Sequence, residues 1–427
     1  MTSSCFSQKE VGPAIKLFSS GKYKESLESL SELKNQYPDE PLIFNIKGAC
    51  YAGLGEYQKA ITHYKKAIAI DPNYYKAYFN LAGTYEEMGQ FNDSVNSYKE
   101  SLKIKPDYLE AHYSLGRSYQ VMGKFSKAID SYKNVLAIKP DFAEMHNNLG
   151  VLLQEQNKLS EAKRHLESAL NIMPDFKEAH NNLGNLLKAL GDSKEAVKSY
   201  QKAISIDSKY VDAYDNLASA FSNLNELDKA VKCYRESSNI DSNNPERQYN
   251  LGFNLQKLGK FNEAMDHYRK ALAINPGYAE AHNNLGISLK ELGQLNEAIE
   301  SYQKTISINP KFTQAYNNIG NVLMELGQTD DAIQSYKKAL DINPAYAEAH
   351  NNLGIALMNM GKLDEATDCY KKAVEIMPDY ADAFINLGII SNMIGQLDKA
   401  HKYFNKAQNI DPLIPEIYSN LGNLFID

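Results

Sequence analysis

Ten asparagines stand 34 residues apart, or a whole multiple of 34 apart: Asn80, Asn148, Asn182, Asn216, Asn250, Asn284, Asn318, Asn352, Asn386 and Asn420. A carboxamide offers two N–H donors and one carbonyl acceptor, the complement of a peptide unit. A regular column of them can hold the backbone of an extended polypeptide whatever its side chains. Asparagine is also a poor helix former. If the column lies on helices, each member costs roughly 0.5–0.7 kcal/mol relative to alanine, and ten cost on the order of 5–7 kcal/mol. A sequence that keeps ten such residues in register needs a reason for them. The ten are therefore the candidate peptide-binding residues, and the competing reading is that they bond a neighbouring helix. Ser114 interrupts the column and Ile46 precedes it.

No other residues gather into chemistry. His112, His146, His180, His282 and His350 share one position of the period, and His63, His165 and His267 share another. Recurrence in register marks a packing choice rather than a ligand set. No phosphate-binding glycine loop, nucleophile elbow, HExxH pair or carboxylate pair breaks the repeat. Cys5, Cys50, Cys233 and Cys369 stand far apart with no CxxC pair, against a zinc site or a disulfide framework. No catalytic residue, metal ligand or cofactor is expected, and the chain is not expected to be an enzyme.

The elements that position the column follow from the same period. Taking Pro72, Pro106, Pro140 and Pro174 as position 32 of a 34-residue unit divides residues 41–414 into eleven consecutive repeats. A degenerate copy occupies residues 7–40, residues 1–6 form an N-terminal tail, and 415–427 is a half repeat holding a first helix only. A fixed period of this size means stacked supersecondary units rather than one globular core. In the copy from Ala279, His282, Leu285, Gly286 and Leu289 fall on one face of a first helix, and Ala298, Tyr302 and Ile306 fall on one face of a second. Position 15, between the helices, is always Gly or Asn, as in Gly123, Asn157, Gly191 and Asn225. A left-handed residue ending the first helix requires one of these two. Position 32 is proline in most copies, where a residue without an N–H stops the second helix. Position 8 is only Gly or Ala, from Gly48 to Gly422. A mid-helix glycine costs about 0.5–1 kcal/mol relative to alanine. Close approach of the two helix backbones, against the small position 20 (Ala60, Ala298 and their equivalents), is the expected compensation.

Composition fits such an array. The chain is 43% hydrophobic and 23% charged, near ordinary globular usage. It has no apolar run long enough to span a bilayer, and residues 1–20 do not read as a signal peptide. The net charge of −7 is spread along the chain, which gives no encouragement to nucleic-acid binding. A cytoplasmic location is expected, with no membrane partner.

The unit resembles the tetratricopeptide repeat, whose pattern places aromatic residues at 4, 11 and 24, Leu-Gly at 7 and 8, Ala at 20 and Pro at 32. The match covers nearly the whole chain, although tryptophan is absent and position 4 is often His or Tyr. The resemblance implies an all-α, right-handed superhelical solenoid of antiparallel helix pairs, with first helices lining a concave groove. The asparagine column, at position 6, is similar to that in the tetratricopeptide arm of O-linked N-acetylglucosamine transferases, where groove asparagines grip the main chain of substrate proteins. A non-catalytic scaffold binding protein segments in the groove is the leading expectation. The substrate-recruiting arm of a glycosyltransferase or other transferase, its catalytic domain outside this chain, is the alternative. Position 2 is acidic in Glu110, Glu144, Glu178, Asp212, Glu246, Glu280, Glu348, Asp382 and Glu416. Acids there argue against the family mode in which basic groove residues clamp the C-terminal carboxylate of chaperone tails.

Two stretches break the pattern. Between Asp207 and Asn244, Ser208 and Ser242 replace proline, Asn225 replaces glycine and Ser237 replaces a small alanine, which marks a candidate hinge. In 415–427, Leu421, Leu424, Phe425 and Ile426 have no second helix to cover them, so self-association through this end is expected.

Overall fold

A computed structural model describes residues 10–423 and the side chains of residues 10–421. The expected tail at 1–6, and Leu424, Phe425 and Ile426 of the half repeat, lie outside the described residues. Those described form 25 helices and no strand. Each unit is a first helix of 13 residues and a second of 14, as in Ala279–Glu291 and Leu295–Ile308. The opening pair is shorter at its start, Gly12–Ser19 followed by Tyr23–Gln36. The final helix is Pro415–Asn423.

Backbone angles explain the turns. Position 15 is left-handed in every copy, with φ of 57° at Asn157 and 58° at Asn225 and values from 69° to 84° at the glycines. The turn back into the next unit has its own device. At Asp71, Asp241, Asn275, Asn309, Asn343 and Asp411 of position 31 the carboxyl or amide oxygen accepts from the N–H two residues on, as in Asp71 to Asn73 at 2.9 Å and Asn343 to Ala345 at 3.1 Å. Such Asx turns hold the chain beside the proline.

The small position 8 makes room for an aromatic ring. A Cβ on Gly286 would lie 2.6 Å from the Tyr302 ring, and one on Gly320 would lie 2.5 Å from that of Tyr336. The contact expected from sequence is with position 20, and that close backbone approach is seen where a Cβ on Gly150 or Gly252 would stand 3.3 Å from the Ala162 carbonyl or 3.1 Å from the Ala264 carbonyl. Even there the position-24 side chain is nearer, Leu166 at 2.7 Å and the Tyr268 ring at 2.8 Å, so it is what first forbids the methyl. These rings are fully buried at Tyr200, Tyr268, Tyr302 and Tyr370. Ridge-to-groove packing of this kind repeats along the stack, and the buried residues form a series of local clusters rather than one core.

The chain divides into two compact units, Met1–Ser208 and Lys209–Asp427. In the second, the stretch that breaks the sequence pattern is tied down by Arg247. Its guanidinium is only 4% exposed and donates through Nε to both carboxylate oxygens of Asp215 at 3.0 Å. Through Nη1 it reaches the Asp241 carboxylate at 3.2 Å and the Asp241 carbonyl. The adjacent Gln248 donates to Ser238 at 2.8 Å. Polar contacts thus stand in where proline is missing. No helix among the described residues is long and apolar enough to cross a membrane.

Candidate peptide-binding groove

The asparagine column stands on the first helices, and the structure pairs it with a second column one position earlier. Asn80 Nδ2 donates to Asn45 Oδ1 of the preceding unit at 3.0 Å, and the same bond joins Asn182 to Asn147 (2.9 Å), Asn318 to Asn283 (3.1 Å), Asn352 to Asn317 (3.0 Å) and Asn386 to Asn351 (2.9 Å). Asn284 donates instead to the Tyr249 hydroxyl at 3.0 Å, and Asn352 reaches Asn321 as well, at 3.1 Å. The position-5 asparagine partners are buried, Asn317 completely. In these copies one N–H of the column is committed to a neighbouring helix, the arrangement the competing sequence reading described. The column residues themselves are half-exposed, Asn352 uses its Nδ2 twice, and the Asn284 carbonyl accepts from Asn283 at 3.2 Å.

Three members differ. Among the described residues Asn148, Asn250 and Asn420 donate to no side chain or carbonyl, and Asn148 only accepts, from Asn147 at 3.4 Å. Position 5 ahead of Asn148 and Asn250 is Tyr113 and Asp215, and Asp215 is held by Arg247. The position-5 column has a sequence signal of its own. Asn-Asn doublets recur at Asn147, Asn181, Asn283, Asn317 and Asn351 with the full period.

In the second unit these residues line a cleft of about 690 Å³. Asn352, Asn386 and Asn420 come to it from three successive first helices, with Asn321 and Asn351 beside them and Ile355, Ile385 and Ile389 between. Glu348, Asp382 and Glu416, the position-2 acids, border the same cleft and are exposed. Asn317 donates to Glu348 at 3.2 Å. The lining contains no lysine or arginine. The cleft therefore presents amide donors and acceptors at a fixed spacing, apolar patches between them, and negative charge.

The histidines are accounted for by packing. Nε2 of His112, His146, His180, His282 and His350 stands 2.8–3.2 Å from the carbonyl of the proline six residues earlier, an N–H to carbonyl bond that locks each first helix to the turn before it. His146 and His165 face each other through Nδ1 at 2.9 Å. Burial, and next the neighbouring His146, depress His165 to about 4, and burial depresses His267 to about 4. His63, His282 and His350 are also lowered by burial. No group of three or more His, Cys, Asp or Glu side chains among the described residues could hold a metal ion.

Paired helices of this length, with a left-handed turn and a ring against a glycine, define a helical-repeat solenoid. Family models agree. The model described as TPR repeat matches residues 48–89, 84–123, 121–157, 184–225, 220–259, 255–293, 288–327 and 320–361, and two models described as Tetratricopeptide repeat match 345–412 and 143–173. The chain belongs to the tetratricopeptide-repeat family. No curated protein sequence matches it. Among solved structures it is similar to MamA (30% identity, 39% of this chain and 97% of that one, TM-score 0.38). YrrB, titled a TPR protein with an unusual peptide-binding site, is 23% identical over 43% of this chain and 95% of its own, TM-score 0.40. The Cut9-Hcn1 assembly matches at 13% identity over 96% and 95%, TM-score 0.49.

Proposed function

We propose that the chain is a non-catalytic scaffold that binds extended polypeptide segments in its asparagine-lined groove. The observation that carries this reading is the 690 Å³ cleft, in which Asn352, Asn386 and Asn420 present carboxamides from successive helices. Two of the three are held rigid by a bond to the helix behind them. The unmet N–H and carbonyl of Asn386, and the carbonyl of Asn352, bind a peptide backbone from this frame with little ordering cost, because the frame is already ordered. Such bonds select for an extended main chain and leave side-chain choice to whatever lies between them.

Asn420 is the residue to change, since it bonds to no other side chain among the described residues and its replacement is expected to leave the fold intact. Peptides selected from a display library of random 15-residue sequences on the wild-type protein provide the probe. Asn420→Ala is expected to weaken them several-fold, as one peptide hydrogen bond contributes about 0.5–1.5 kcal/mol. Asn420→Arg, which fills the cleft, is expected to abolish binding. Melting temperature should hold in both. Selected peptides that bind both variants as tightly as wild type would defeat this reading of the cleft.

A further inference from the structure

In the first unit the asparagine ladder has a gap. Asn80 donates back to Asn45 and Asn182 donates back to Asn147, but between them position 5 holds Phe79 and Tyr113 and position 6 holds Ser114. The gap contains a cavity of about 350 Å³. Three rings line it, Phe79, Tyr113 and Phe142, together with Met145, which is fully buried. The remaining wall includes two exposed carboxylates, Glu110 and Glu144. The rings are fixed from behind, Phe79 at 5.6 Å from the Tyr98 ring and Tyr113 at 6.1 Å from that of Tyr132.

We propose that this cavity is a side-chain pocket of the groove, taking an arginine or lysine from the bound segment. The inference rests on the groove reading above and adds to it a place where sequence is read. Aromatic faces are negative and attract a cation, and a long basic side chain lays its apolar stem along such walls while its head meets the acids. Phe142 already takes a cation, for Lys139 Nζ stands 4.6 Å from its ring centre. The acids are uncompensated. Elsewhere in this unit Glu86 pairs with Arg117 and Glu161 with Lys133, at 2.9 and 3.2 Å, whereas Glu110 and Glu144 form no ion pair among the described residues. An apolar guest would desolvate two carboxylates with nothing to offset them, and an acidic guest would be repelled. A basic one satisfies both walls.

Selection of random 15-residue display peptides on wild-type protein, on Glu110→Gln/Glu144→Gln and on Tyr113→Leu tests the pocket. The glutamines are isosteric and exposed, so that double variant keeps its fold even if Tyr113→Leu does not. The wild-type pool is expected to concentrate Arg or Lys at one fixed place. A selected peptide should lose roughly five- to tenfold in affinity on the Gln/Gln variant, and a similar amount when its basic residue becomes Leu. A retained pool without basic enrichment, or an enrichment the Gln/Gln variant leaves unchanged, overturns the pocket alone. If no peptide is retained by any protein, the groove reading falls with it.

Discussion

At the scale of single residues the fold turns on what a methyl group would meet. In Gly320 an added Cβ would stand 2.5 Å from the buried Tyr336 ring, while in Gly83, one position further along its helix, the nearest atom would be the Tyr98 hydroxyl at 3.8 Å. Gly→Ala gains about 1 kcal/mol of helix propensity at either site. At Gly320 overpacking of about 1–3 kcal/mol opposes it. Thermal melts should therefore show Gly83→Ala raised and Gly320→Ala lowered, and equal shifts of one sign would mean the ring yields freely. The glycines' smallness was legible in sequence, but its cause was not. Periodicity shows which residues recur together, and both Ala at position 20 and Tyr at position 24 recur, so only coordinates tell which one fills the gap. The left-handed turns were fully legible, because only Gly and Asn tolerate φ near 60–80° and both appear at position 15. Histidine titration supplies a second test. His165 and His267 are held down to about 4 against an ordinary value near 6.5, so from about pH 6.5 down to 4 the unfolded chain binds protons that the fold refuses. Stability from these groups is complete above that window and is lost as pH falls through it. His165→Gln should flatten the fall in melting temperature across the window relative to wild type. An unchanged profile would show that His165 is protonated in the fold without penalty.

Helices, the next scale, are joined by the ladder. Sequence suggests that alanine in the column would be neutral or stabilising, since alanine is the better helix former. The pairing of Asn318 with Asn283 and of Asn352 with Asn317 and Asn321 reverses that sign. Each propensity gain of roughly 0.5–0.7 kcal/mol is set against a buried acceptor left unsatisfied, about 1–3 kcal/mol. The triple variant Asn284→Ala/Asn318→Ala/Asn352→Ala should melt lower than wild type. Asn148→Ala, at a position that donates to nothing, should melt at or slightly above it. A triple variant as stable as wild type would mean that water replaces the lost donors. The difference between the two classes of asparagine could not be read from position 6 alone. It lies in position 5 of the preceding unit, where an Asn or Tyr249 accepts the bond while Tyr113, Asp215 and Ile385 stand ahead of the members that donate nothing. A contact between residues 35 apart has no helical period to announce it.

At the largest scale, stability is a sum over neighbours within each compact unit, since the buried residues fall into separate local clusters and the helices of a unit pack chiefly on those beside them in sequence. A local wound should stay local. Arg247 is the sharpest place to make one: removing a nearly buried guanidinium leaves the Asp215 carboxylate in a site that already pushes its protonation upward through burial. Breaking one side of such a pair costs about 3–5 kcal/mol, far more than its net contribution when intact. Within the irregular stretch that sequence marks as a hinge, Arg247 ties Asp215 to Asp241, and Gln248 bonds Ser238 beside it. Arg247→Ala should speed amide exchange in Val211–Asn223, Leu227–Ile240 and Pro245–Lys257. Protection in the helices from Tyr75 to Ile172 should remain as in wild type. Exchange that rises evenly along the chain would mean a single cooperative core and would defeat the nearest-neighbour account. Unchanged exchange in the three named helices would show that the loose packing expected from Ser208 and Ser242 needs no clasp.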